Sequence, residues 1–197
     1  MKKLIALILT LVVTCGAVFA QGKTLIIYFT PANSDTMDAV SAATPHSENA
    51  SSVEDLVNKI SKKIKADVVK IVPKESYPLE YSKTADKAKA EADKNARPAF
   101  TLDKSVNLKD YDTVFVGYPI WRYQMPMIMY TFFDTYDFSG KTIIPFNTHL
   151  GSRDGGTYKD IAKLEPKATV KDGLAISGDK TSSADKAVSD WLKKQGY

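Results

Sequence analysis

Apolar positions along the chain follow two rhythms. Runs rich in apolar and β-branched residues at 23–29, 67–72, 111–117, 140–147 and 169–177 alternate with stretches in which apolar residues recur every three or four positions. Continuous runs mark strands buried on both faces, and the spaced recurrence marks helices with one buried face. Val53, Leu56, Val57, Ile60 and Ile64 outline the first helix, and Ser51 with Glu54 makes a capping-box pattern ahead of it. Residues 82–96 predict a Lys/Ala/Asp/Glu helix whose apolar face is thin, and hence mostly exposed. A helix over 125–133 carries Pro126 where a first turn tolerates it. Another ends at Leu164, and a last one over 183–194 buries Ala187, Val188, Trp191 and Leu192.

Strands alternating with helices predict an α/β domain: a doubly wound parallel sheet of five strands covered on both faces, because each right-handed crossover needs a helix to return the chain. Ligands of such sheets sit outside the carboxyl ends of the strands. Three polar or aromatic segments leave from that edge, at 30–50, 118–124 and 149–156. The first changes abruptly to Ser, Thr, Asn, Asp, Ala and Pro, and a loop that long inside a compact domain points to function or disorder.

The amino terminus has a different texture. Lys2 and Lys3 precede an apolar run from Leu4 to Val13, and Val18-Phe19-Ala20 ends it with small residues where a signal peptidase cuts. Residues 1–20 are therefore expected to be a signal peptide and 21–197 a single domain, exported to a periplasmic or extracellular compartment. The run is shorter than the ~20 residues needed to span a bilayer, and no membrane segment is expected after cleavage. Cys15 leaves a lipid-modified variant open. Otherwise the mature chain lacks cysteine, and so has neither disulfide nor thiol nucleophile. The net charge of +4 falls by two when Lys2 and Lys3 leave, and the other lysines are interspersed with acids. That distribution argues against a nucleic-acid surface, which wants a concentrated basic stripe.

Four blocks then carry a resemblance: Gly117-Tyr118-Pro119-Ile120-Trp121, Met125-Pro126-Met127, the segment 136–146, and Thr148-His149 with Gly151-Ser152. In this order they are similar to the flavodoxin-like family, in the branch with a longer first loop. The resemblance implies strand order 2-1-3-4-5 and a non-covalently held flavin mononucleotide (FMN). The first loop would cradle the phosphate, and the second and third would flank the isoalloxazine ring. Thr30 and Asn49, Ala50 and Ser51 at the helix start would supply hydroxyl and backbone N–H groups to the phosphate. The family's Gly-Asn-Thr is here Glu48-Asn49-Ala50, which stiffens the backbone and adds an anion. An alternative phosphate loop is Asn33-Ser34-Asp35-Thr36.

In the second loop Trp121 offers a stacking face or, alternatively, a core residue beneath the loop, while Pro119 and Ile120 present backbone groups. Arg122 stands where the family often has a second Trp; a guanidinium against the ring would favour anionic reduced flavin. In the third loop Thr148, His149, Gly151 and Ser152 offer amides and a hydroxyl, with His149 either a structural tie or a contact to flavin or substrate. Two distant histidines without cysteine argue against a metal site.

No nucleophile elbow or acid–base constellation stands out, and no catalytic side chain is assigned. The expected function is an FMN-dependent redox protein, either an electron carrier with a small-molecule or protein partner, or a reductase of quinone-type acceptors in which Tyr123, Met125 and Met127 could line a pocket. The competing reading is an exported binding protein of the same fold that has lost tight flavin binding.

Overall fold

The computed structural model describes residues 22–31, 52–78 and 80–197. Strand β1 (Thr24–Phe29) lies at the centre, with every residue buried. It pairs in parallel with β2 (Asp67–Pro73) on one side and β4 (Thr113–Pro119) on the other. β5 (Thr142–His149) continues the parallel sheet beyond β4. The order β2-β1-β4-β5, with the last strand outside β5, matches the expected 2-1-3-4-5.

Alternation along β1 sends its side chains to two core layers. Leu25, Ile27 and Phe29 pack with Val116, Ile128 and Phe132 on the side that also receives Ala88 and Ile161. Ile26 and Tyr28 pack on the other side with Val53, Leu56, Ile60, Val188 and Trp191. Helices α1 (Ser52–Ser61) and α5 (Asp185–Gln195) therefore cover one face. Helices α2 (Tyr81–Asp93), α3 (Met127–Thr135) and α4 (Thr157–Leu164) cover the other. Each fully buried aliphatic side chain contributes about 1.5–3 kcal/mol, so the apolar runs suffice to hold the layers together without a cross-link.

Four details differ from the sequence-based expectation. A short strand β3 (Phe100–Leu102) pairs antiparallel with β2 at the sheet edge. The expected strand over 169–177 is broken into β6 (Thr169–Val170) and β7 (Leu174–Ser177), both paired with β5. At the break three residues (171–173) face only two of β5 (144–145), and the Tyr158 ring lies so close to Gly173 that a Cβ there would come within 2.4 Å of it. Pro126 sits at the N-cap of α3 with extended ψ, one position before the helix it was expected to begin inside. A 3-10 segment, Gly178–Ser183, delays the start of α5 to Asp185, and α5 buries Val188, Trp191 and Leu192 while Ala187 is exposed. Helix α2 buries only Thr84 and Ala88, as its thin apolar face implies.

Candidate functional site

The carboxyl ends of β1, β4 and β5 deliver the three loops to one edge. The second loop starts in register with the third: Pro119 pairs with Thr148, and the Ile120 N–H donates to the Thr148 carbonyl at 2.8 Å. The chain then reverses in two residues. Trp121 N–H donates to the Gln124 carbonyl at 2.9 Å, and Gln124 N–H donates back at 3.1 Å. Between them Arg122 and Tyr123 have φ of 52° and 67°. Two positive φ values in succession are those of a type I′ turn, which favours Asn and Gly. Holding ordinary L-residues there costs about 1–2 kcal/mol each, strain of a kind that collects at ligand sites.

This turn decides where the side chains go. Trp121 is 2% exposed and stands edge-on to Phe29 and Tyr77, with ring centroids 5.6 and 4.9 Å away. Trp121 is thus packed in an aromatic cluster beneath the loop. Arg122 and Tyr123 are lifted outward instead, Tyr123 to 74% exposure. Tyr77 completes the aromatic cluster and donates its hydroxyl to Glu91 at 2.9 Å; burial pushes the Glu91 carboxyl above its usual range.

The third loop is tied to the sheet by buried polar groups. Tyr118, fully buried, hydrogen-bonds the Thr157 hydroxyl at 2.8 Å, and that hydroxyl donates to the Asp154 carbonyl at 2.6 Å. Asn147 donates to the carbonyl of Arg153 at 3.0 Å and accepts from the Tyr158 hydroxyl. His149, at the end of β5 and 9% exposed, accepts the Gly151 N–H on Nδ1 at 3.0 Å. Burial pulls its pKa below 6.5, with Arg153 adding to the effect and Asp179 and Asp154 opposing it. Gly155, at φ 58°, lies against the second loop, where a Cβ would stand 2.6 Å from the Tyr123 carbonyl oxygen. The Ser152 hydroxyl oxygen is buried and has no hydrogen-bond partner. A buried polar atom without a partner costs about 1–3 kcal/mol, so this loop holds a hydroxyl that a ligand could satisfy.

Of the predicted site residues, the structure brings together Pro119, Ile120, Trp121, Arg122, Thr148, His149, Gly151 and Ser152, with buried Thr30 at the end of β1. Asn49, Ala50 and Ser51, like the alternative loop at Asn33–Thr36, lie outside the described residues. The first turn of α1 carries Glu54 and Asp55, and Glu54 accepts from the Tyr28 hydroxyl at 3.0 Å. Sequence reasoning missed Tyr77, Tyr118, Asn147, Thr157 and Tyr158, which support the loops from beneath; their role arises from tertiary contacts that leave no local pattern. Among the described residues no group of three His, Cys, Asp or Glu side chains could hold a metal, and no helix is long and apolar enough to cross a membrane.

Known proteins place this architecture. A candidate flavoprotein of Bacteroides eggerthii is 26% identical, with a TM-score of 0.69 over 89% of this chain and 98% of its own. One from Bacteroides uniformis is also 26% identical, at TM-score 0.68 over 87% and 98%. A Lactobacillus acidophilus flavoprotein solved in complex with FMN shares the fold at 19% identity, with a TM-score of 0.60 over 82% of this chain and 97% of its own. No curated protein matches this chain. The flavodoxin family model matches residues 41–195, more than half of the sequence. With the parallel sheet, its strand order and the second and third loops at its carboxyl edge, that match makes the chain a member of the flavodoxin family.

Proposed function

We propose that this protein binds FMN non-covalently at the carboxyl edge of its sheet and works in electron transfer, as a carrier or as a reductase of small quinone-type acceptors. The observation that carries the reading is the unpartnered, buried Ser152 hydroxyl, in a glycine-containing loop that rests on the strained turn at Arg122 and Tyr123. Family membership and the FMN complex of the L. acidophilus relative support it. Ser152, the Gly151 region and the backbone of 119–122 would hold the ring end, and Thr30 with the start of α1 the phosphate end. When bound, the flavin supplies the one- and two-electron chemistry, while the chain binds it, orients it and tunes its charge. Arg122, exposed on the turn, would place a fixed cation near reduced flavin.

One observation favours the second reading, a binding protein without tight flavin affinity. Glu54 and Asp55 occupy the first turn of α1, where the helix macrodipole would otherwise favour a phosphate. Titration of purified protein with FMN separates the two: a perturbed visible flavin band that co-elutes with protein supports FMN binding, and free flavin at high micromolar concentration refutes it. Anaerobic reduction of the bound flavin by a reduced nicotinamide nucleotide, followed by its reoxidation with a quinone, then distinguishes reductase from carrier. We further propose export through the segment 1–20, supported by its basic start, apolar run and small residues at the cut site. Recovery from the cell envelope or medium of a chain beginning at Gln21 is the expected outcome, and a cytoplasmic chain that retains Met1 refutes it.

A further inference from the structure

His149 lies at the junction of the sheet and the third loop, and the direction of its hydrogen bond is fixed. Its Nδ1 accepts the Gly151 N–H at 3.0 Å. Only a neutral ring with its proton on Nε2 has a lone pair there. The backbone of His149 is held in β5 by pairing with Ser177 of β7, and the residue is 9% exposed. A proton added at Nδ1 would set two N–H groups against each other at hydrogen-bonding distance. Gly151 is the partner free to yield: its φ is 106°, and no atom lies within 4 Å of where a Cβ would be. Ser152, whose buried hydroxyl has no partner, follows directly and would be carried with it.

We propose that His149 is a positioning residue that pins the third loop only while its ring is neutral, so that the flavin site, on which the functional reading rests, loosens as pH falls. The charged groups facing the ring are Asp179, from the 3-10 segment after β7, and Arg153 and Asp154 of the loop. β4 and β7, the strands on either side of β5, contribute no charged residue. Burial is the largest influence, the two carboxylates oppose it, and the balance places the change on the acid side of an ordinary imidazole.

Two variants separate this role from a merely structural one. His149→Asn keeps a short-reach acceptor close to Nδ1 and removes the titration, whereas His149→Phe removes both. In the flavin-free protein the Gly151 amide resonance should move with the His149 ring titration in wild type and stay fixed in both variants, with His149→Phe resembling acid wild type throughout. Measured against FMN, the ratio of the wild-type Kd to that of His149→Asn should rise as pH drops from 8 to 5 through the His149 titration. The flavin phosphate also titrates near pH 6, but its protonation is common to both proteins and cancels in the ratio. A Gly151 amide indifferent to pH overturns the proposal. So does a flat Kd ratio while FMN binds, which leaves the functional reading standing. Failure of wild type and His149→Asn to bind FMN at any pH, with the Gly151 amide still tracking His149, overturns the functional reading and the flavin coupling together.

Discussion

The buried pair Tyr118 and Thr157 gives a prediction whose sign is set by the direction of two hydrogen bonds. The Thr157 hydroxyl donates to the Asp154 carbonyl, so its contact with Tyr118 has the tyrosine as donor. Tyr118→Phe removes that donor but leaves Thr157 its own acceptor, a loss of about 0.5–1.5 kcal/mol. Thr157→Val keeps shape and branching but leaves the Tyr118 hydroxyl fully buried with no acceptor, a cost of about 1–3 kcal/mol. Asp154 adds nothing to that cost, because its carbonyl still receives the Thr157 backbone N–H at 2.9 Å. The double variant removes the stranded hydroxyl and should be more stable than Thr157→Val alone. Urea unfolding measures all three: with a slope of about 2 kcal/mol/M, each kilocalorie moves the midpoint by about 0.5 M. A double variant less stable than Thr157→Val, or a Tyr118→Phe midpoint below that of Thr157→Val, would refute the assigned direction.

Three further outcomes follow from single residues. Gly155→Ala forces a side chain into positive φ at about 1–2 kcal/mol and against the Tyr123 carbonyl; the unfolding midpoint should fall accordingly and FMN should bind more weakly in a flavin titration as the second loop is displaced, and unchanged binding would show that the two loops do not act together. Arg122→Trp should lower the flavin reduction potential, because it removes a cation that favours the anionic reduced form; an equal or higher potential in spectroelectrochemical titration excludes a role for Arg122 beside the ring. Glu165 has its pKa raised to about 7, chiefly by burial and then by the neighbouring Asp137 and Asp134. Its folded-state value lies above the ordinary 4.5, so the native chain binds the extra proton and loses stability as pH rises from about 4.5 through 7. Glu165→Gln should therefore be more stable than wild type at pH 8 and not at pH 4, and a thermal shift that is the same at both pH values would contradict the assignment.

The sheet was legible because its central strands are buried on both faces. A short run rich in β-branched and aromatic residues such as Leu25 to Phe29 fits a doubly buried strand better than a helix, and the helices between such runs leave few alternatives to parallel pairing. What escaped was set by tertiary contact. The gap between β6 and β7 is an extra residue in the ladder, three residues (171–173) opposite two of β5 (144–145), with the Tyr158 ring of α4 packed over Gly173. β3 is three residues long and pairs only at an edge, which leaves too little pattern to read. In the second loop the position of the aromatic was legible, but its direction was not. Direction there depends on turn type, and an Arg-Tyr pair lacks the Asn-Gly signature of the type I′ turn it forms.

That mismatch between sequence and turn is informative about the edge itself. Two L-residues at positive φ persist only where surrounding contacts hold them, and each contact can be named. On one side of the turn Trp121 is sunk among Phe29 and Tyr77. On the other, Gln124 closes the reciprocal bond, and Met125 is fully buried. Against the turn lies Gly155, which has no side chain to push the Tyr123 carbonyl away. The turn is therefore shaped by the core and by the third loop, before any ligand enters. The third loop is fixed in its turn by Asn147, Thr157 and His149. Binding at such an edge needs little reordering of these two loops, so affinity for the ring end should be governed by Ser152 and the exposed turn residues. On the proposed reading the phosphate end would be supplied by the first loop, where the sequence departs from the family's Gly-Asn-Thr. A flavin lacking the phosphate consequently discriminates between the two ends: riboflavin should bind nearly as well as FMN if the ring end dominates, and far more weakly if the altered first loop still grips the phosphate.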